Sequence, residues 1–282
     1  MAGEFTTKRT LSLADRRITT ELPALVMGIV NVTPDSFWEG SRRGEDGLKA
    51  ALAMAEDGAD IIDIGGESTR PGAAYVGARE EIARVVPLVG ALRKRCAVAI
   101  SVDTRKAEVF RAAFEAGADM VNDVSALEDD PALGDFAAQR KTPVALMHKR
   151  GEPAIMQTRT AYGDVVAEVD SYLRRRAAWA LSRGIRRDRL VLDPGIGFGK
   201  GPGENVALIR GCGALGGGEY PVLVGLSRKT LIGDITGRPA GERLPGSLAA
   251  AVLAAQYGAS ILRVHDVKET VDCLKILRSF TV

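Results

Sequence analysis

Short apolar runs rich in Val, Ile and Leu recur along this chain, and between most of them apolar residues return every three or four positions. The runs are ALVMGIV (24–30), DIIDIGG (60–66), AVAISVD (97–103), DMVNDV (119–124), PVALMH (143–148), RLVLDPG (189–195), PVLVGL (221–226) and SILRVH (260–265). Continuous runs, rather than strict apolar–polar alternation, predict strands covered on both faces. The segments between them predict helices. Leu48, Leu52 and Ala55 share one helical face, and Val166, Val169, Leu173 and Ala180 share another. Gly58-Ala59-Asp60 and Gly117-Ala118-Asp119 close two helices just before a strand, and Gly258-Ala259-Ser260 nearly repeats them. That repetition reads as a left-handed glycine cap used three times.

Eight such units in 282 residues predict an α/β fold, a single-domain (β/α)8 TIM barrel with its active site at the C-terminal ends of the strands. An open doubly wound sheet is the rival, and eight units without a clear linker favour closure. The barrel is assigned to residues 24–282. Residues 1–23 are an N-terminal segment in which LSLADRRITTEL is expected to form a small hairpin closing the barrel's bottom.

Charge and composition narrow the partners. Against 36 acidic residues stand 38 basic ones, a net charge of +2 that points to no nucleic-acid or membrane surface. Eighteen apolar residues never run together, and the first twenty residues hold no apolar core of signal-peptide length, so the expected location is cytoplasmic. Cys96, Cys212 and Cys273 lie far apart, as free thiols of a reducing compartment do. With His148 and His265 the only histidines, a zinc site lacks ligands, whereas magnesium needs only oxygens.

Chemistry in such a barrel collects where strands end. The runs are followed by Asn31 and Asp35; by Asp63 and GGESTRPG; by Asp103, Thr104 and Arg105; and by Asn122 and Asp123. Then come His148-Lys149-Arg150, Asp193, Ser227-Arg228-Lys229, and finally Arg263 and His265. Singly, each has a bland reading: an Asp there is often a helix cap, and Arg228-Lys229 a solvated pair. Jointly, Asp103, Asn122, Asp193 and Asp63 beside Arg70, Lys229, Arg263 and His265 suit a ligand with two ends. One end is a heterocycle rich in N–H donors, the other a multiply charged anion. Two glycine motifs are decoys. Gly211-Cys-Gly213-Ala-Leu-Gly216 precedes a strand instead of following one, and Gly195-Ile-Gly-Phe-Gly-Lys200 lacks the residues a P-loop needs. The glycines of the second are expected to let backbone approach a ligand beside Asp193.

NVTPDSF, DIGGESTRPG, SVDT, NDVSAL, LMHKRG followed by MQ, LDPGIGFGK, GLSRK and RVHDV resemble, in order and spacing, the signature blocks of the dihydropteroate synthase family. The resemblance runs from about residue 25 to the C-terminus and touches every predicted strand. It implies a transferase of folate biosynthesis that condenses p-aminobenzoate with 6-hydroxymethyl-7,8-dihydropterin diphosphate, with Mg2+ as cofactor and a homodimer as the assembly. Sulfonamides, mimics of p-aminobenzoate, would be its inhibitors. It further implies that Asp103, Asn122, Asp193, Lys229, Arg263, Phe198, Met147 and Gly225 bind the pterin. Asn31, Thr69, Arg70, Arg263 and His265 would meet the diphosphate, with Asn31 also on the metal. Phe37, Ser68, Thr69, Pro71 and Ser227 would receive p-aminobenzoate, and Asp35, Lys229 and Arg70 would be catalytic.

The stretch NVTPDSFWEG then reads as a lid after the first barrel strand, with Phe37 closing the p-aminobenzoate pocket, while packing on a neighbouring loop or a dimer contact suits Trp38 better than Phe37. Trp38-Glu39-Gly40-Ser41 and Pro245-Gly246-Ser247 depart from the family's usual letters without removing a named group. Two alternatives use the same barrel: a pterin-binding methyltransferase and a non-catalytic pterin-binding homologue. TPDSF, STRPG and the SRK lysine, all present, count against the first. Intact Asn31, Asp35, Arg70 and Lys229 count against the second.

Overall fold

The computed structural model describes residues 8–32, 42–68, 74–151 and 160–280. Eight parallel strands form one sheet: β3 (Leu25–Asn31), β4 (Ile61–Gly65), β5 (Ala99–Asp103), β6 (Met120–Asp123), β7 (Val144–Met147), β8 (Leu190–Asp193), β9 (Leu223–Gly225) and β10 (Ile261–Val264). Their hydrogen-bonded order is β8-β7-β6-β5-β4-β3-β10-β9. The sheet closes between its two ends: Leu192 pairs in parallel with Val222, and the Leu192 N–H donates to the Pro221 carbonyl at 2.9 Å. The barrel is therefore complete.

Helices alternate with these strands as the periodicity predicts: α1 (Arg42–Glu56), α2 (Ala78–Arg93), α3 (Ala107–Glu115), α4 (Pro131–Arg140), α5 (Val165–Ser182), α6 (Pro202–Gly211), α7 (Thr230–Thr236), α8 (Leu244–Gln256) and α9 (Val267–Ser279). The eight apolar runs are uniform in sequence yet split by period two into separate cores. Val26, Ile62, Ile100, Val121, Leu146, Leu192, Val224 and Leu262 face outward and pack with helix residues such as Val85, Phe110, Leu133, Leu173 and Leu274. Leu25, Met27, Ile61, Ala99, Met120, Ala145, Val191, Leu223 and Ile261 make a second, smaller cluster. These are the alternate residues, directed into the barrel.

The floor of that inner cluster is filled from outside the barrel. β1 (Arg9–Ser12) and β2 (Arg17–Thr20) form an antiparallel hairpin with Leu11 opposite Ile18. Leu11 and Leu13, nearly fully buried, join the inner cluster, with Ile18 packed against it. Arg16 in the hairpin's turn is paired with Asp119, 3.2 Å from its Oδ1. Asp119 also accepts the Ile100 N–H at 2.9 Å and binds Arg93.

Gly58, Gly117 and Gly258 all hold positive φ, between 99° and 113°, as helix-terminating residues there must. The following acids have a use of their own. Asp60 accepts the Val26 N–H at 2.8 Å, as Asp119 accepts that of Ile100, so each latches the neighbouring strand.

Candidate active site

Two residues beyond the apolar inner layer (four on β5), the same strand faces turn polar. Asp63, Asp103, Asn122 and Asp193 are 0%, 8%, 3% and 5% exposed, burial that unpaired carboxylates do not tolerate. Arg263 resolves two of them. Its Nε donates to Asp63 Oδ2 at 2.6 Å and its Nη2 to Asp103 Oδ2 at 2.8 Å. Asn122 Nδ2 donates to the same Asp63 oxygen at 3.1 Å. Burial holds Asp103 above the ordinary carboxylate range, with the Arg263 guanidinium pulling the other way. Burial would lower the Arg263 pKa, but Asp63 and Asp103 outweigh it and raise it.

Asp193 closes its own loop: its Oδ1 accepts the Gly195 N–H at 2.7 Å. Among the described residues no hydrogen bond reaches its Oδ2. Burial raises its pKa as well, against the pull of that N–H and of Lys229. The loop that follows is shaped from within by Lys200. Its buried Nζ donates to the carbonyls of His148 (3.2 Å), Gly195 (2.9 Å) and Phe198 (2.9 Å). Gly195 has φ +67°, and any Cβ there would fall 1.9 Å from the His148 carbonyl. The resemblance to a P-loop is thus a lysine bracing its own backbone. The glycine at 195 serves that internal packing and lets the loop run close to Asp193. The other decoy is likewise packing, since a Cβ on Gly213 would lie 2.4 Å from the Tyr257 carbonyl.

Braced in this way, the loop presents the Ile196 carbonyl, which accepts from Lys229 Nζ, and the Phe198 ring, 4.7 Å from that ammonium. Burial lowers Lys229 to about 8. Gly225 leaves the opening between cations: a Cβ there would lie 3.7 Å from Arg263 Cβ and 4.0 Å from Lys229 Nζ. Met147, buried, ends β7. Asp103, Asn122, Asp193, Lys229, Arg263, Phe198, Met147 and Gly225 therefore all occupy the C-terminal side of the barrel, as the sequence implied. What sequence missed is Arg263's place between two acids, which takes up one Asp103 oxygen in the free protein.

At the edge of this cluster, Asn31 ends β3, with its Oδ1 3.7 Å from where a Gly65 Cβ would stand. His265 Nδ1 lies 3.1 Å from Ser227 Oγ, and the His265 N–H also donates to that oxygen. Ser68 is half-buried beyond β4. Asp35, Phe37, Thr69, Arg70 and Pro71, with Trp38 and Glu39, lie outside the described residues. Beside Ser68 runs an ion network that sequence did not single out. Glu67 accepts from Lys106 at 2.7 Å, Arg105 at 3.2 Å and the Val76 N–H at 3.0 Å, while Lys106 also reaches buried Glu81 at 2.6 Å.

Two polar strand ends have the bland role. Asp123 accepts from Ser125 N, Ser125 Oγ and Leu127 N, each at 2.7 Å, and so folds its own turn. His148 packs edge-on against Tyr172, and burial depresses its pKa to about 3, keeping the ring neutral. The acids that cap helices are others, Asp130 on α4 and Asp164 on α5.

Comparison with known proteins fits this arrangement. The family model described as "Pterin binding enzyme" matches residues 27–265. The dihydropteroate synthase of Escherichia coli (strain K12) is 47% identical over 256 residues, 90% of each chain. A Xanthomonas albilineans dihydropteroate synthase solved with 4-aminobenzoic acid superposes with a TM-score of 0.91 at 47% identity, covering 98% of this chain and 99% of that one. The same bacterium's enzyme in complex with 7,8-dihydropteroate gives 0.87 at 44%, covering 97% and 99%. The chain belongs to the pterin-binding enzyme family, as a dihydropteroate synthase, a transferase.

Proposed function

We propose that Asp103, Asn122 and Asp193 accept the N–H groups of the pterin's amino-pyrimidinone edge, that Lys229 donates to its ring oxygen and nitrogen, and that p-aminobenzoate enters from the Ser68 and Ser227 side. The observation that carries this reading is the ring of buried acceptors, Asp103, Asn122 and Asp193, facing the two cations Lys229 and Arg263. Paired N–H groups meeting carboxylates give directional, charge-assisted bonds. Phe198 and Met147 wall the slot, and Gly225 keeps it open. The relatives solved with 4-aminobenzoic acid and with 7,8-dihydropteroate support that substrate and that product here.

Pterin binding needs Asp103 freed from Arg263, and the released guanidinium then lies over the ring and meets the diphosphate with His265, Arg70, Thr69 and Asn31. The carbon–oxygen bond to diphosphate breaks heterolytically, and the electron-rich pterin shares the resulting methylene cation. The arylamine, neutral near pH 7, attacks that carbon and then loses a proton. Positioning and electrostatics carry the catalysis, without a covalent enzyme intermediate. Asp35 would face the cation, and Phe37, Thr69 and Pro71 would complete the p-aminobenzoate pocket.

Among the described residues no three acids, histidines or cysteines cluster to hold a metal. Asn31 offers one neutral oxygen at the strand end, a donor set that suits magnesium carried in by substrate phosphates rather than caged by protein. Bound there with the diphosphate, magnesium would neutralise the leaving group's charge. No helix among the described residues is long and apolar enough to cross a membrane, and a cytoplasmic location is the proposal. A homodimer is supported by α6, α7 and α8, which pack on one another and expose Val206, Ile235, Leu253 and Tyr257.

The test is diphosphate release from purified protein. Release is expected only with both p-aminobenzoate and the pterin diphosphate present, and a sulfonamide should compete with p-aminobenzoate alone. Pterin binding without such release would leave the non-catalytic homologue as the better account.

A further inference from the structure

We infer that Asp63 is a positioning residue for pterin recognition, which fixes the direction of the Asn122 amide and anchors Arg263 by its Nε without touching substrate itself. The inference rests on the proposed role of Asn122 and Asp103 as pterin acceptors. Asp63 is 0% exposed, and its Oδ2 accepts from both Asn122 Nδ2 (3.1 Å) and Arg263 Nε (2.6 Å). Both partners belong to the pterin slot.

The argument turns on what a carboxylate cannot do. An ionised carboxylate has only acceptors, so at 3.1 Å it admits the NH2 end of an amide and repels the oxygen end. The two ends of the Asn122 amide diverge from one carbon. Committing Nδ2 to Asp63 therefore commits Oδ1 to the opposite side, as an acceptor. A pterin edge made of N–H donors needs that orientation. Left unconstrained, the amide could turn its NH2 toward the ligand and set donor against donor. The same oxygen holds Arg263 Nε, an anchor from which Nη2 rests on Asp103 in the free protein and swings to the ligand when the pterin takes that acid. One buried acid thereby sets the hydrogen-bonding sense of one slot residue and the place of another. An Asn at position 63 would have nearly the same shape but would not discriminate between the two amide orientations.

Four proteins test this: wild type, Asp63→Asn, Asn122→Ala and the double variant. A non-reactive pterin, 6-carboxypterin, is titrated by its fluorescence, and the KM for p-aminobenzoate is measured at saturating pterin diphosphate. Asp63→Asn should weaken pterin binding at least tenfold and leave the p-aminobenzoate KM within twofold. In the Asn122→Ala background the same change should cost threefold or less. Equal losses in both backgrounds, or parallel losses for both substrates, would overturn the inference. Full pterin affinity in Asn122→Ala would sink the site reading and this inference with it. If Asp63→Asn does not fold, wild-type protein labelled with 15N at Asn side chains gives the answer. One Asn122 amide proton should already be shifted downfield and protected from exchange before pterin is added, and stay so afterwards. Free exchange in the unliganded protein would refute the role.

Discussion

Floor and mouth of this barrel are built on the same strands two residues apart, yet they obey opposite rules. On β4 the pair is Ile61 and Asp63, on β6 Met120 and Asn122, on β8 Val191 and Asp193, on β10 Ile261 and Arg263. Each floor residue leaves water for an apolar environment, worth about 1.5–3 kcal/mol per large side chain. Each mouth residue leaves water carrying polarity, and its desolvation is only offset by partners such as the Asp63–Arg263–Asp103 chain. The floor stabilises the fold, and the mouth draws on that stability to hold charges where a ligand needs them.

That contrast can be broken or sharpened experimentally. The largest effect is expected from Lys229→Ala, which should cut kcat/KM by about 10²–10³-fold while leaving the melting temperature near or above the native one. A near-native rate would place Lys229 among solvated surface cations. At the floor, Met120→Ala should cost about 2–5 kcal/mol in denaturant unfolding and leave kcat within a few-fold; activity lost without stability would erase the distinction. Asp193→Asn comes next, weakening pterin binding by about 1.5–3 kcal/mol, read by calorimetric titration. Unchanged affinity would remove it from the slot.

A further effect concerns pH. Because burial raises the Asp103 pKa, the folded chain keeps a proton that the unfolded chain releases near pH 4. Folded protein thus binds more protons in that window. Its stability falls as pH climbs from about 4 toward the raised value, by up to about 1.4 kcal/mol per unit. Asp103→Asn should flatten this slope in unfolding curves at pH 5 and pH 8, whereas floor variants keep it.

Strands, helices and glycine caps were legible because each rests on a local rule: apolar continuity, helical period, positive φ. The inward and outward faces were hidden inside those same runs, since ALVMGIV is apolar in both directions and only the closed barrel assigns Met27 and Val26 to different cores. Site residues that end strands were legible as a joint pattern and through family blocks. Their pairings were not. Arg263 lies 160 positions from Asp103 and 200 from Asp63, and nothing local in the sequence couples them. Lys200 looked like half of a phosphate loop, because three carbonyl acceptors from two separate loops are invisible in a linear motif. Asp60 and Asp119 were read only as punctuation after a glycine, although each latches a neighbouring strand.

The hairpin under the barrel has a consequence for the order of assembly. Leu11 and Leu13 precede every barrel strand along the chain, yet the cavity they fill is walled by Met27, Ile61, Met120 and finally Ile261. Their binding partner is almost the entire remaining chain, so no nascent fragment can shelter them fully. The plug is thus synthesised before every barrel strand and is among the last segments to be buried. It waits as exposed apolar surface until the eighth barrel strand arrives, and then locks the closed ring from below.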